Sequence, residues 1–439
     1  MTKKVIQVLN HFLPYQTAGT EVYTWALSRS LQKLGWTVVV VVPNFGNEES
    51  DEYEYDGIRV IRYPENSGET REIIQGKKAP IGLRFFQDIL QNEKPEIVHF
   101  HEFVHGSGIG IRHVQSAKKM GAKVMMTFHL ANYTCETGTL VYKGQTLCDG
   151  LIRGFRCAVC SLHDKGVGKM SFLFAGASLF FKKFNVEPIS WNNRLGTALS
   201  GVQQIERLKL EIDILFQNCD YLVSLTDWYR EILIKNNAPK HKIHLIRQAL
   251  PFEKSTKNIA QPKDGVLKLM FLGRISSFKG VHTLIDAVMQ LDAQLVSLDI
   301  YGQETEKDYV FALKEKSKLC KNIHWRGLLQ QNEVITEMQK HDVLCLCSTF
   351  SEMSPLVIQE AFEARIPVIA SDVYGNREQI RPGTNGLLFK FRDVTSLRDQ
   401  IFKLILQPDL LLHMQNNILP PDTFDCIAEQ YDNLYCNKT

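Results

Sequence analysis

Residues Leu269–Gly280 read LMFLGRISSFKG, a pattern that indicates the fold class of the whole chain. An apolar run ends at Gly273, the cations Arg274 and Lys279 follow, and a helical pattern begins near Val281. An apolar run that enters a helix through a glycine loop is typical of the strand–loop–helix unit of α/β proteins. Two cations beside a helix N-terminus suit a diphosphate, because arginine donates two parallel hydrogen bonds and lysine adds a point charge. The alternative is a pair of solvated charges on an exposed loop.

The same alternation of apolar runs and helical patterns extends along the chain in both directions. Buried strands are predicted at Val5–Asn10, Thr37–Pro43, Ile97–His101, Lys123–Phe128, Tyr221–Leu225, His244–Arg247, Lys268–Leu272, Ser297–Tyr301, Val343–Cys347 and Val368–Ser371. Helices are predicted between most of them, for example at Glu21–Leu34, His282–Leu291, Asp308–Lys318 and Val357–Ala364. Continuous apolar strands separated by helices indicate parallel sheets that are covered on both faces. The predicted fold class is therefore α/β.

The strand series restarts near residue 265, and this restart predicts two domains. The preceding segment Pro251–Asp264 is polar, contains two prolines and is interpreted as a linker. We therefore expect two doubly wound, Rossmann-like domains that face a cleft, over residues 1–249 and 265–439. Ligands of doubly wound sheets bind at the carboxyl ends of the strands, so we expect the shared site in that cleft.

Composition narrows the class of protein. The 439 residues are 44% hydrophobic and 23% charged, which excludes a disordered, collagen-like or coiled-coil protein. With 51 Lys and Arg against 48 Asp and Glu, the net charge of +3 does not favour nucleic acid as a partner. The N-terminal sequence MTKKVIQVLNHFLP has no features of a signal peptide, and no window has the roughly 18 apolar residues of a membrane span. Ten cysteines without a secretion signal then favour a reducing, cytoplasmic location.

A second candidate binding segment, FSEMSPLVIQEAFEARIPVI, occupies residues Phe350–Ile369. Glu352 precedes a predicted helix and Glu360 lies inside it, so the two carboxylates can accept hydrogen bonds from sugar and ribose hydroxyls. The alternative is that Glu360 and Glu363 form a solvated helix face.

The start of this helix is also a candidate phosphate site. Ser354 is predicted as the N-cap and Pro355 as a first-turn residue. The backbone N–H groups of Leu356 and Val357 would then be available to a phosphate.

Several short motifs occur in the same order as in one known family. They are Phe12–Pro14 with Ala18–Glu21, Ile97–His101, Thr127–His129, Leu222–Trp228, the Arg274–Lys279 loop, Tyr301–Gly302, Arg326–Gly327, the Glu352/Glu360 pair, Ser371–Ile380 and Asn385–Phe389. Together they resemble the GT-B glycosyltransferases of family 4, the retaining, nucleotide-sugar-dependent glycosyl transferases of group 1. The resemblance covers nearly the whole chain.

The resemblance implies roles for individual residues. Gly19 would offer its N–H to the donor phosphate, Arg274 and Lys279 would neutralise the diphosphate, Glu352 would hold the donor sugar and Glu360 the ribose. His129 would lie near the donor sugar and the acceptor. His101 and Glu102 are weaker candidates, and Glu378 would orient a loop.

His129 also has an ordinary structural interpretation, as a satisfied core histidine at a strand end. It is followed by Leu130, where family members frequently carry an aspartate, so the resemblance implies no acid/base partner at this position.

The implied function is retaining glycosyl transfer (hexosyltransferase-like, EC 2.4) from a nucleoside-diphosphate sugar to an acceptor hydroxyl. The product would be a polysaccharide, glycolipid or other glycoconjugate. Residues 265–439 would bind the donor and residues 1–249 the acceptor, with the last helix able to pack back on the N-terminal domain. No cofactor is expected for catalysis. The alternatives are a nucleotide-sugar epimerase of the same architecture and a non-catalytic sugar-nucleotide-binding protein.

A cysteine-rich insertion lies at about residues 130–165. Cys135, Cys148, Cys157 and Cys160 form the pattern C-x12-C-x8-C-x2-C. Four thiolates can enclose a structural Zn²⁺ tetrahedrally, although only the last pair has the close spacing of a zinc knuckle. Reduced unliganded thiols and a disulfide are the alternatives.

Residues 165–210 carry seven cations and two acids, a local balance of +5. Within them, MSFLFAGASLFFKKF (Met170–Phe184) is apolar with two lysines near its end. We interpret this segment as a core helix with a basic flank. The alternative is an interfacial helix that brings the protein to the inner face of a membrane as a peripheral partner.

Overall fold

The computed structural model describes residues 3–68, 71–74, 77–103, 108–251 and 265–437. The chain divides into two compact units, Met1–Arg247 with Phe424–Thr439 (unit 1) and Gln248–Thr423 (unit 2). Of the predicted linker, residues 252–264 lie outside the described residues.

Unit 1 is built on an eight-stranded sheet in the order β10-β9-β6-β5-β1-β2-β4-β3, in which only β3 runs antiparallel to its neighbour. A small hairpin, β7–β8, lies in the cysteine-rich insertion. The strands are β1 Lys4–Val8, β2 Thr37–Phe45, β3 Asp51–Tyr55, β4 Ile58–Glu65, β5 Ile97–Phe100, β6 Lys123–Phe128, β7 Val141–Tyr142, β8 Thr146–Leu147, β9 Tyr221–Ser224 and β10 Ile243–Leu245. The helices of its first segment are α1 Gly19–Lys33, α2 Arg71–Ile74, α3 Gly82–Glu93, α4 Ile111–Lys119, α5 Gly154–Leu162, α6 Ser171–Lys183, α7 Arg194–Leu199, α8 Gly201–Asn218 and α9 Asp227–Lys235.

Unit 2 is built on a six-stranded parallel sheet in the order β13-β12-β11-β14-β15-β16. Its strands are β11 Leu267–Leu272, β12 Val296–Tyr301, β13 Ile323–Gly327, β14 Val343–Leu346, β15 Val368–Ser371 and β16 Gly386–Phe389. Its helices are α10 Val281–Val288, α11 Lys307–Ser317, α12 Val334–Met338, α13 Leu356–Glu363, α14 Tyr374–Gln379, α15 Val394–Leu406 and α16 Pro408–Asn417.

Both faces of the unit 2 sheet are buried, and β11 shows this residue by residue. Leu269 and Phe271 belong to one apolar core cluster, while Met270 between them belongs to a second cluster. Successive strand side chains point to opposite faces of a sheet, so a strand that is apolar at every position must be covered on both sides. The prediction of doubly wound parallel sheets is confirmed.

All ten predicted strands are present, with ends displaced by no more than two residues. The strands that the apolar runs did not predict lie mostly at sheet edges, as β3, β13 and β16 do. In β3, Asp51–Tyr55, no residue is fully buried, and β13 ends in exposed residues. Because β3 and β13 carry polar side chains at the sheet edges, a search for continuous apolar runs does not find them.

The last helix, α17 Phe424–Tyr435, belongs to unit 1 and packs on α1. It places buried Tyr431 and Tyr435 in the interior of that unit. Within the described part of the chain, no helix combines the length and the apolar character needed to cross a bilayer.

Two helical glycines provide a matched test of unit 2 packing. A Cβ added at Gly375 in α14 would lie 2.1 Å from the Glu352 carbonyl oxygen, whereas one added at Gly176 in α6 would meet no atom within 4 Å. We expect Gly375→Ala to lower the free energy of unfolding by about 1–3 kcal/mol through overpacking. Gly176→Ala should raise it by about 0.5–1 kcal/mol, because alanine favours the helix. Urea denaturation measures both changes, and equal effects would show that the Glu352 loop does not rest on Gly375.

Candidate functional site

The site in unit 2 lies where the order of strands reverses. The chain runs from β11 outward through β12 to β13, then returns to β14 beside β11 and continues outward to β16. The loops that follow β11 and β14 are therefore neighbours at the carboxyl edge of the sheet, which is the usual position of the ligand in a doubly wound fold. The first loop carries Arg274 and Lys279, and the second carries Glu352.

These two loops are joined by an ion pair. Lys279 Nζ lies 2.5 Å from Glu352 Oε1, and the two side chains are only 18% and 9% exposed. Ser348 Oγ donates to the same oxygen at 2.6 Å. Both contacts use Oε1, so Oε2 of Glu352 takes part in neither of them.

Backbone contacts hold the same two loops together. The Thr349 N–H donates to the Phe278 carbonyl oxygen at 2.8 Å, and a Cβ at Gly280 would lie 1.9 Å from the Cys347 carbonyl oxygen. Gly280 also has a φ of 67°, a left-handed conformation that glycine adopts without strain. Only glycine therefore allows the first turn of α10 to approach the end of β14 this closely.

Arg274 and Lys279 lie in different environments. Arg274 is exposed and forms no ion pair with any described residue, which agrees with the expectation of an exposed loop cation. Lys279 is partly buried, contacts Glu352 and lies with its Nζ 5.4 Å from the centre of the Phe350 ring. The alternative of two solvated charges is therefore wrong for Lys279, because a carboxylate 73 residues away covers it.

The predicted cap of α13 needs a correction. Pro355 is the N-cap, with φ −67° and ψ 121°, and the helix begins at Leu356. Ser354 is therefore not the N-cap, because the extended backbone of Pro355 starts the helix one residue later. Leu356 and Val357 occupy the first two helical positions, whose N–H groups have no intrahelical acceptor.

Glu360 lies inside α13 and is buried, as is Glu363. The interpretation of these two glutamates as a solvated helix face is therefore wrong. Gln331 Nε2 donates to Glu360 Oε1 at 2.8 Å, and burial raises the pKa of Glu360 above its ordinary value. Glu378 is half-buried and lies on α14, the helix that begins beside the Glu352 loop. Ser348 and Gln331 were not identified from the sequence, since neither belongs to a motif and Gln331 comes from a separate loop.

Unit 1 has a reversal of its own, between β1 and β5. The loop after β1 leads to Gly19, the exposed first residue of α1, where an added Cβ would meet nothing within 4 Å. Its backbone is therefore open to a ligand. Glu102 after β5 accepts a hydrogen bond from the Asn10 N–H at 2.7 Å, so this carboxylate ties the two loops together.

His129 is part of a buried polar row at the ends of β5 and β6. Its Nε2 lies 3.0 Å from His101 Nδ1, and His101 Nε2 lies 2.7 Å from Gln7 Oε1. His99, on β5, lies 2.7 Å from both the Thr127 hydroxyl and the Tyr435 hydroxyl.

Burial lowers the pKa of His129 to about 3, and it lowers the pKa of His99 and His101 well below the ordinary value. His129 is therefore a neutral, hydrogen-bonded ring at pH 7. It can donate or accept a hydrogen bond, but it is not protonated for acid catalysis.

The four cysteines of the insertion surround one small cavity of about 30 Å³. Backbone N–H groups of Lys143 and Arg153 donate to Cys160 Sγ at 3.2 Å and to Cys157 Sγ at 3.3 Å. None of the four cysteines forms a disulfide. Among the described residues, however, no three His, Cys, Asp or Glu side chains are already arranged to hold a metal ion. The zinc site therefore stays a prediction.

Two family models match separate parts of the chain. The model of glycosyl transferases group 1 matches residues 252–418, and that of the glycosyl transferase 4-like domain matches residues 18–161. The first match includes Arg274, Lys279 and Glu352 of unit 2. The second includes Gly19, His129 and the four cysteines of the insertion.

Curated relatives are similar over part of their length. A glycogen synthase of Mycobacterium tuberculosis is 25% identical over 169 residues, which are 38% of this chain and 41% of the relative. A putative colanic acid biosynthesis glycosyltransferase, WcaL of Salmonella typhimurium, is 25% identical over 209 residues, or 46% and 52% of the two chains. The chain thus spans about half the length of these relatives.

Solved structures are similar over nearly the whole chain. A sucrose-phosphate synthase from Thermosynechococcus elongatus has a TM-score of 0.67 at 15% identity and covers 99% of both chains. Anabaena Alr3699/HepE, solved with UDP and glucose, has a TM-score of 0.63 at 12% identity, covering 99% of this chain and 100% of its own. WaaG, described as a glycosyltransferase of lipopolysaccharide biosynthesis, has a TM-score of 0.63 at 16% identity, covering 98% and 99%. These likenesses show a shared GT-B fold.

The buried histidines predict how stability depends on pH. Below about pH 6.5 the unfolded chain binds a proton at His129 that the folded chain excludes until about pH 3. The free energy of unfolding should therefore fall as the pH drops through this window, by up to about 1.4 kcal/mol per pH unit for each such histidine. We expect His129→Gln to reduce this slope between pH 6 and pH 4.5. Urea denaturation at several pH values measures it, with exposed His413→Gln as the control; an unchanged slope in His129→Gln would contradict the prediction.

Metal analysis tests the zinc prediction. Protein prepared with zinc and without chelator should contain about one equivalent, with Zn–S distances near 2.3 Å by X-ray absorption. Cys157→Ser/Cys160→Ser should lose the metal, whereas Cys320→Ser, outside the insertion, should retain it. Metal-free wild-type protein, with four reduced thiols, would exclude the site.

Proposed function

Because the chain belongs to the glycosyl transferases group 1 of the GT-B fold, we propose that it transfers a sugar from a nucleoside-diphosphate sugar to an acceptor hydroxyl. The configuration at the anomeric carbon would be retained. The product would be a polysaccharide, a glycolipid or another glycoconjugate, as the names of the WcaL and WaaG proteins indicate for those proteins.

One observation carries the proposal: the Lys279–Glu352 ion pair at the switch point of unit 2. It joins the two segments that the sequence separates, one suited to a diphosphate and one suited to sugar hydroxyls. The ion pair uses one proton of the lysine ammonium, which leaves two for phosphate oxygens. It also leaves Glu352 Oε2 to accept a hydrogen bond from a hydroxyl of the donor sugar.

The remaining groups complete a donor site. Arg274, exposed and without a carboxylate partner among the described residues, would bind the diphosphate. The N–H groups of Leu356 and Val357, at the positive end of the α13 dipole, would offset the negative charge that develops on the leaving group. Glu360 would accept a hydrogen bond from the ribose.

In the proposed reaction the bond between the anomeric carbon and the diphosphate oxygen breaks, and the acceptor oxygen bonds to that carbon from the same face. The proton of the acceptor hydroxyl passes to a β-phosphate oxygen, so no protein nucleophile is required. Neutral His129 would hydrogen-bond the donor sugar or the acceptor, and the Gly19 N–H would contact the donor phosphate.

Charge removal at Arg274 tests the donor site. Arg274→Ala should lower kcat/KM roughly 30- to 1000-fold, because a preorganised charge partner of the transition state is lost. This corresponds to a loss of about 2–4 kcal/mol of transition-state stabilisation. Its melting temperature should stay near that of wild type, since the side chain is exposed. Release of nucleoside diphosphate from a panel of nucleotide sugars measures activity, and Arg398→Ala on α15, outside the two loops of the site, is the control for loss of an arginine elsewhere in unit 2.

Lys279 should behave differently from Arg274. Lys279→Met leaves Glu352 unpaired in a mostly buried position, so both activity and stability should fall. The double variant Lys279→Met/Glu352→Gln should recover stability but not activity.

Three outcomes would contradict the proposal. Near-normal turnover of Arg274→Ala would remove the diphosphate role. Sugar isomerisation without an acceptor would indicate an epimerase, and nucleotide binding without turnover on any donor would indicate a binding protein.

A further inference from the structure

The helix α6 presents its large apolar side chains outward. Its buried residues are the small ones, Ser171, Ala175 and Ser178, while Leu173 is 70% exposed and Phe180 is 60% exposed. This arrangement is the reverse of a core helix, in which large apolar residues face inward. The interpretation of this segment as a core helix is therefore wrong.

The packing of α6 explains why small residues face inward. Ala175 belongs to a compact apolar cluster with residues of α5 and α8, and the Val202 N–H donates to Ser178 Oγ at 3.0 Å. The helices can approach this closely only where side chains are small.

The exposed side chains form one continuous face. At 100° per residue, the outward apolar residues of α6 span an arc of about 120° around the helix, and Phe184, after the last turn, extends the arc to about 140°. The side chains that make up this face, called the α6 face below, are Phe172, Leu173, Leu179, Phe180 and Phe184, which are 43–70% exposed.

Lysines lie at both ends of the α6 face. Lys169 precedes the helix, Lys183 lies in its last turn, and both are exposed and form no ion pair with a described carboxylate. The helix itself contains no acidic residue. Lys182, beside Lys183, is paired with Glu206, so the positive charge that this end of the face offers comes from Lys183.

We propose that the α6 face is a docking surface for an anionic lipid bilayer. Helix α6 has 13 residues and is about 20 Å long, which is shorter than the hydrocarbon core of a bilayer. The helix therefore lies along the interface and does not cross the bilayer. The Phe and Leu side chains enter the region between headgroups and acyl chains, and Lys169 and Lys183 contact anionic headgroups. The proposal does not depend on the proposed transferase activity, because it concerns attachment alone.

Sedimentation with vesicles tests the proposal on the full chain. Wild type should bind vesicles containing 30 mol% phosphatidylglycerol, and its binding should drop at least tenfold on pure phosphatidylcholine or at high salt. Leu173→Ser/Phe180→Ser and Lys169→Glu/Lys183→Glu should each reduce binding at least tenfold. Thermal melting checks that the variants are folded.

Matched controls distinguish binding through the α6 face from nonspecific adsorption through exposed side chains elsewhere on the protein. Leu319→Ser/Leu328→Ser removes two exposed leucines of unit 2, and Lys119→Glu/Lys235→Glu reverses two exposed lysines on α4 and α9. Both controls should bind vesicles as wild type does.

A fluorescence measurement adds a direct readout of insertion. In Phe180→Trp, the tryptophan emission should shift to shorter wavelength when anionic vesicles are added. No vesicle binding by wild type, or equal loss in the controls, would overturn the proposal. A dimer in analytical ultracentrifugation that the α6 variants abolish, without vesicle binding, would instead show that a second copy covers this face.

Discussion

Burial of both faces of a parallel sheet is the constraint on which the rest of this structure depends. The central residues of a strand such as β11 must be apolar in succession, because Leu269, Met270 and Phe271 alternate between two cores. Polar and charged side chains are then concentrated at the carboxyl edge, where the loops leave the sheet. In unit 2 the strand order reverses between β11 and β14, so the cationic loop and the carboxylate loop are neighbours. The Lys279–Glu352 ion pair follows from this topology, and the proposed donor chemistry rests on it.

Unit 1 also has polar side chains at the carboxyl ends of its buried strands, but these are neutral histidines rather than an ion pair. His129 and His101 lie buried at strand ends, with relative exposures of 9% and 0%, and they are satisfied by one another and by Gln7. Desolvation keeps them neutral, because a charged imidazole would have no counterion in this row. A histidine of this kind can donate or accept a hydrogen bond but is not a proton source at neutral pH. In the proposed donor site the positive charge is therefore assigned to unit 2 residues such as Arg274.

The segment between β6 and β9, which includes the cysteine-rich insertion, differs from the two sheets because it exposes large apolar side chains. It adds a hairpin, the helices α5 to α8 and four cysteines around one cavity, and it leaves the α6 face uncovered. Exposed phenylalanines are unfavourable in water unless another surface covers them. Helices that approach each other through Ala175 and Ser178 keep this unfavourable face turned outward, which is consistent with attachment to a surface.

From the sequence alone came the α/β class, the ten predicted strands, the loops that carry Arg274, Lys279 and Glu352, and the helix that carries Glu360, because apolar periodicity and turn residues are local properties of the chain. It did not determine the edge strands, such as β3, whose polar residues reflect their position in the sheet. The Lys279–Glu352 contact, the burial of Glu360, the neutral histidine row and the outward face of α6 were decided by tertiary structure. Each depends on segments far apart in the chain: 73 residues separate Lys279 from Glu352, and 336 separate His99 from Tyr435. Desolvation and helix packing arise only when such segments meet, so no local pattern encodes them.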